Sequence, residues 1–177
     1  VAASVEAERG LELGHTVFFA RVEGPNGLLN AAGICTAHDR VVAVGLGSTD
    51  YTVATGMAAG GQGNAIASFL VVNAARAAGI VPIGLTGPIV GFGDLGAFRR
   101  SAEESRALGL RGAPCVHPSQ VPILNEVFSP TAEELERARR VVEEYERALA
   151  AGEGAITVDG EFVDLPFYEQ AKRLLAE

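Results

Sequence analysis

VFFARVEGPNGLLN, residues 17–30, decides how the rest of the chain is read. A strand-length run rich in apolar side chains, 17–22, ends at a carboxylate, Glu23. The turn residues Gly24, Pro25, Asn26 and Gly27 follow at once, and helical composition resumes over 28–37. An acid at the end of a buried strand raises the question of what it is for.

The same unit recurs downstream. VVAVGL, 41–46, is a second strand and runs into Gly47, Ser48, Thr49 and Asp50, which read as a turn. A helix is expected over 64–78 with Gly79 as its stop, and VPIGLT, 81–86, is the third strand. The glycine-rich loop GPIVGFGD leads to an acid-and-arginine helix over 95–108, and APCVHP, 113–118, reads as a fourth strand. Upstream, residues 3–13 are helix-like and end at Gly14. Strands that are apolar throughout and separated by helices belong in parallel sheets covered on both faces, so this order implies an α/β architecture. A complete eight-unit barrel needs roughly 200 residues or more, so four such units correspond to about half of one.

The composition changes at Ser129. Thr131 and Glu134 form a capping box, and Leu135, Ala138, Val142, Tyr145 and Leu149 recur at spacings of three and four, the signature of a long amphipathic helix. A hairpin turning at Asp159 and Gly160 and a helix from about Pro166 complete the chain. Residues 129–177 therefore read as an appended extension of the 1–128 body, with an apolar stripe that needs a surface to cover.

Composition excludes several classes of function. The 177 residues carry a formal charge of −8, and the densest basic stretch, Arg137, Arg139 and Arg140, is interleaved with acids, so a nucleic-acid partner is not expected. No apolar run is long enough to span a bilayer and no signal peptide is apparent, which reads as a cytoplasmic protein with no membrane partner. Cys35 and Cys115 have no metal or disulfide spacing and read as reduced core residues. The chain begins at Val1 and its single methionine is Met57, so further sequence upstream is expected.

Glu23 and Asp50 end two consecutive parallel strands, and both should project from the carboxyl-terminal rim where α/β proteins build their sites. Two neighbouring carboxylates repel unless a cation lies between them, and an all-oxygen donor pair favours Mg²⁺. The competing reading is that each acid caps a helix N-terminus; two acids at equivalent strand ends favour the metal. His117 reads as an ordinary strand-end residue, with Ser119 and Gln120 as polar contacts where the loop meets a helix. The loop over 84–96 has no G-x-G-x-x-G and no Lys-Ser/Thr signature, and His15 and His38 read as solvated.

The motifs ARVEGPNGLLNAAGI, VVAVGLGSTDY, AARAAGI, CVHPSQVPILNEVFSP and GAITVDGEFVDLP, in this order and spacing, resemble the HpcH/HpaI aldolase and citrate lyase β-subunit family. The resemblance implies a (β/α)8 TIM barrel, represented here by its C-terminal portion plus a C-terminal helical lid. It implies a Mg²⁺-dependent carbon–carbon lyase acting on an acyl-CoA thioester such as citryl-CoA or malyl-CoA, in a homo-oligomer, a trimer or hexamer. Glu23 and Asp50 match the family's metal carboxylates, and Asp164 matches an acid that a neighbouring subunit's tail brings to the active site. Pro118 and Ser119 mark the loop expected near coenzyme A. Family members are longer at the amino end, and they often carry an acid where this third strand has Gly84 and Gly87, so a substrate contact there is expected to differ. The alternatives are a metal-dependent aldolase on free 2-keto acids and a non-catalytic or regulatory relative.

Overall fold

The computed structural model describes residues 1–58, 62–87 and 93–176. Most of the glycine-rich loop, residues 88–92, lies outside the described residues. Two compact units are present, Val1–Phe128 and Ser129–Glu177.

The first unit is built on a parallel sheet in the order β1-β2-β3, made by β1 (Phe18–Val22), β2 (Val41–Leu46) and β3 (Val81–Pro82). Val22 stands opposite Leu46, so β1 and β2 end at the same level. Helix α1 (Ala2–Arg9) precedes the sheet, and the short helices α2 (Pro25–Leu29) and α3 (Ala31–Cys35) connect β1 to β2. Helices α4 (Ser48–Thr55) and α5 (Gln62–Ala78) connect β2 to β3. Val22, Val44 and Leu46 from the strands pack with Cys35, Tyr51, Ala67, Val71 and Ala75 in one apolar cluster. Burial there raises the pKa of the Cys35 thiol, as suits a reduced core residue.

Two expectations about strands are corrected. The third strand is expected over 81–86, yet β3 stops at Pro82. Ile83 N–H still donates to Val44 O at 2.9 Å, but Thr86 N–H donates to Ser105 Oγ and Gly87 N–H to Ser101 Oγ, each at 3.0 Å. The chain is drawn onto α6 (Leu95–Ala107) by these hydroxyls and leaves the ladder. The fourth strand expected over 113–118 does not form. Arg111 N–H donates to Pro82 O and Gly84 N–H to Gly112 O, so residues 111–112 run beside the end of β3 and the segment that follows it. The Val116 and His117 N–H groups then turn to Gln120 Oε1, at 2.9 and 3.2 Å, which satisfies the backbone without a neighbouring strand. A 3₁₀ turn, Pro118–Gln120, and α7 (Val121–Phe128) follow. Phe98 and Ala102 of α6 pack with Leu85, Ile123, Leu124 and Val127.

The second unit has its own core. Thr131 accepts from Glu134 N–H and Glu134 accepts from Thr131 N–H, the capping box that starts α8 (Ala132–Ala150). The hairpin β4 (Ile156–Val158) and β5 (Glu161–Val163) turns through Asp159 and Gly160, at φ of 52° and 83°. Two consecutive positive φ angles define the type I′ turn that matches strand twist. Helix α9 (Leu165–Leu175) completes the unit, and Tyr145 stacks on Tyr168 with centroids 4.8 Å apart. The buried face of α8 is Ala138, Val141, Tyr145 and Ala148, whereas Leu149 is exposed. This face is covered by Val158, Val163, Tyr168 and Ala171 of the same unit, which supply the surface that the stripe needs.

Candidate metal and substrate site

Side chains alternate along a strand, and at the end of β1 this separates core from rim. Val22 points into the helix-covered core and is buried, while Arg21 and Glu23, two residues apart, are exposed. Glu23 is the first residue beyond β1, and Gly47 is the first beyond β2, donating its N–H to Val22 O at 2.8 Å. The two strand ends are thereby locked side by side.

Gly47 leaves space that the acid uses. A Cβ at that position would lie 2.6 Å from Glu23 Cγ and 3.0 Å from its Oε1. It would also lie 3.1 Å from Arg21 Nη2, so two charged side chains share the clearing above one glycine. Glu23 Oε1 pairs with Arg21 Nε at 3.3 Å.

Asp50 belongs to the first turn of α4, whose N-cap is Gly47, rather than to the turn expected at Gly47–Asp50. Gly47 therefore connects the two acids: it lies against Glu23 and begins the helix that carries exposed Asp50 at its third position. The N-caps of α2 and α4 are both glycines, Gly24 and Gly47, and neither helix has a side-chain cap. Asp50 still lies where a helix dipole favours negative charge. The pair offers only carboxylate oxygens on an accessible rim, the donor chemistry of a hard divalent ion whose other positions are filled by water or substrate. Such a donor set fits Mg²⁺.

At the far end of the unit, His117 is the N-cap of the 3₁₀ turn. Ser119 N–H donates to His117 Nδ1 at 3.2 Å, and Ser119 Oγ lies 2.8 Å from the same nitrogen. Pro118 occupies the first position of the turn, where its missing N–H costs nothing, and is exposed. Gln120 is fully buried and fixes the preceding backbone. Asp164 is the N-cap of α9 in the second unit, makes no side-chain cap hydrogen bond, and keeps Oδ1 buried without a partner.

Arg21 and Gly47 are the residues that reading the sequence for acids alone missed. The signal for Arg21 was present: on a strand, a residue two before Glu23 must share its face.

Comparison with known proteins adds a common pattern. The model of the HpcH/HpaI aldolase/citrate lyase family matches residues 1–118. The chain is 32% identical to the citrate lyase subunit beta of Leuconostoc mesenteroides subsp. cremoris, over 96% of this chain and 56% of that protein. It is 30% identical to the L-malyl-CoA/beta-methylmalyl-CoA lyase of Cereibacter sphaeroides, over 88% of this chain and 54% of that one. The chain thus spans just over half the length of these curated relatives. Among solved structures, CitE of Mycobacterium tuberculosis in complex with magnesium, acetoacetate and coenzyme A superposes with a TM-score of 0.73, covering 99% of this chain and 72% of that chain. At 23% identity that likeness is one of fold.

Proposed function

Because this chain belongs to the HpcH/HpaI aldolase/citrate lyase family, we propose that it carries the metal-binding rim of a carbon–carbon lyase that cleaves or forms a 3-hydroxyacyl-CoA such as citryl-CoA or malyl-CoA. In this reading residues 1–128 are the C-terminal part of a (β/α)8 TIM barrel and residues 129–177 its helical extension. The observation that carries the proposal is the placement of the two acids after adjacent parallel strands, Glu23 against Gly47 and Asp50 in the first turn of the helix that Gly47 begins.

Glu23 and Asp50 would hold one Mg²⁺. When bound, such an ion supplies Lewis acidity, polarising a carbonyl or hydroxyl oxygen of the acid portion and stabilising charge as the carbon–carbon bond breaks. The chain's own residues do the rest. Both carboxylates orient the acid portion from the strand ends. Asp164, with a buried oxygen in need of a partner, exchanges the proton at the thioester α-carbon as the enolate is released or re-formed, and does so from a neighbouring subunit of a homo-oligomer. Pro118 and Ser119 present the exposed edge of the 3₁₀ turn to coenzyme A, with the Ser119 hydroxyl steadied by His117.

A steady-state assay of citryl-CoA and malyl-CoA cleavage tests this. Turnover of one of the two that needs Mg²⁺ and stops with chelator is expected. Cleavage of neither, alongside aldol cleavage of a free 2-keto acid, would overturn the thioester reading. Turnover unaffected by chelator would overturn the metal.

A further inference from the structure

Arg21 lies in β1 two residues before Glu23 and pairs with it, Nε to Oε1 at 3.3 Å. A carboxylate has two oxygens, so Glu23 can serve a second cation as well as Arg21. Both side chains occupy the space above Gly47, where any β-carbon would crowd them.

Charge counting shows what that does. Glu23 and Asp50 bring two negative charges to the rim and Arg21 brings one positive. A divalent ion neutralises both carboxylates, after which the guanidinium is a cation without an anion beside a balanced site. Arginine's planar fork matches a carboxylate with two parallel hydrogen bonds, a match that lysine's point charge does not reproduce.

We propose that Arg21 is a specificity-determining residue of this rim: it holds Glu23 while no ion is bound, yields it to the divalent ion, and then pairs with a free carboxylate on the acid portion of the substrate. The inference rests on the reading of Glu23 as a metal ligand. It gives the spectator carboxylate of the acid portion a partner on this chain other than the metal ligands. It also makes metal affinity and substrate affinity respond in opposite directions to one side chain.

Mn²⁺ binding followed by electron paramagnetic resonance on the wild type, Arg21→Gln and Arg21→Lys reads the first half without any turnover. Oxaloacetate titrated into the Mn²⁺-loaded proteins reads the second. Arg21→Gln is expected to bind Mn²⁺ about fivefold tighter, the factor an exposed ion pair can contribute. Its Mn²⁺-loaded form is expected to bind oxaloacetate at least tenfold more weakly, as loss of a charge-assisted carboxylate contact requires. Arg21→Lys keeps the charge, so its Mn²⁺ affinity should stay near wild type and its oxaloacetate affinity should fall between the other two. Unchanged or weakened Mn²⁺ binding in Arg21→Gln would overturn the proposal, as would unchanged oxaloacetate binding. Mn²⁺ binding that Glu23→Gln abolishes but Arg21 variants leave alone overturns this inference and leaves the metal reading standing. Absence of Mn²⁺ binding in the wild type overturns both.

Discussion

A methyl group at Gly47 would meet Glu23 Cγ at 2.6 Å, and Gly47 itself has φ of −80°, which alanine adopts without strain. Gly47→Ala is therefore expected to push the Glu23 side chain aside while leaving the melting temperature within a few degrees of wild type, and to weaken Mn²⁺ binding. Intact ion binding in that variant would show that the clearing is not part of the site. If the proposed metal reading holds, Glu23→Gln and Asp50→Asn, each removing one charge from an exposed position, should lose the proposed lyase turnover while keeping a wild-type melt. Glu6 illustrates a different use of an acid. It is buried, accepts from Gly14 and Thr16 N–H, and forms a two-bond pair with Arg40 at 2.8 Å. Arg40 above all, then the two N–H donors, hold its carboxyl pKa down from 4.5 to about 2. A lowered folded-state pKa means stability that is fully present above the unfolded value near 4.5 and lost as pH falls from there through about 2. Thermal melts across that window should show the wild type losing its advantage over Glu6→Gln as the pH drops; a constant gap would contradict the assignment.

Among the elements, β2 is the best expressed in the sequence: VVAVGL is apolar throughout, and the strand occupies Val41–Leu46. Its glycine has a structural reason as well. A Cβ at Gly45 would come within 2.0 Å of Ile83 O, a backbone atom that cannot swing away. Gly45→Ala should cost on the order of 1–3 kcal/mol or more by forcing β2 and β3 apart, measured by chemical denaturation. The strand ends at Glu23 and Gly47 were equally legible, because apolar runs stop where the acid and the glycine begin. Helix α4 was not, since Gly47, Ser48, Thr49 and Asp50 carry the composition of a turn and helix formation there depends on Tyr51 being buried in the core. The early end of β3 was hidden for a related reason. Ser101 and Ser105 lie in sequence far from the backbone N–H groups they capture, and no local pattern announces such a bond. In α8 the periodicity gave the helix, but a shift of one position at Val141 and Ala148 placed the buried face differently from the stripe through Val142 and Leu149.

For the molecule as a whole, Val1–Phe128 and Ser129–Glu177 are separate compact units, and the proposed chemistry needs residues from both. If Asp164 serves a neighbouring subunit, Asp164→Asn and Glu23→Gln subunits, each inactive alone, should regain partial activity when mixed and allowed to exchange. No recovery despite demonstrated exchange would place Asp164 outside any shared site. No helix among the described residues is long and apolar enough to cross a membrane. The most direct test of the central claim is a crystal structure of the protein grown with Mg²⁺. One ion is expected at the strand-end rim with a carboxylate oxygen of Glu23 and one of Asp50 each at about 2.1 Å. An ion held by only one of them, or both side chains turned to opposite faces of the sheet, would contradict it.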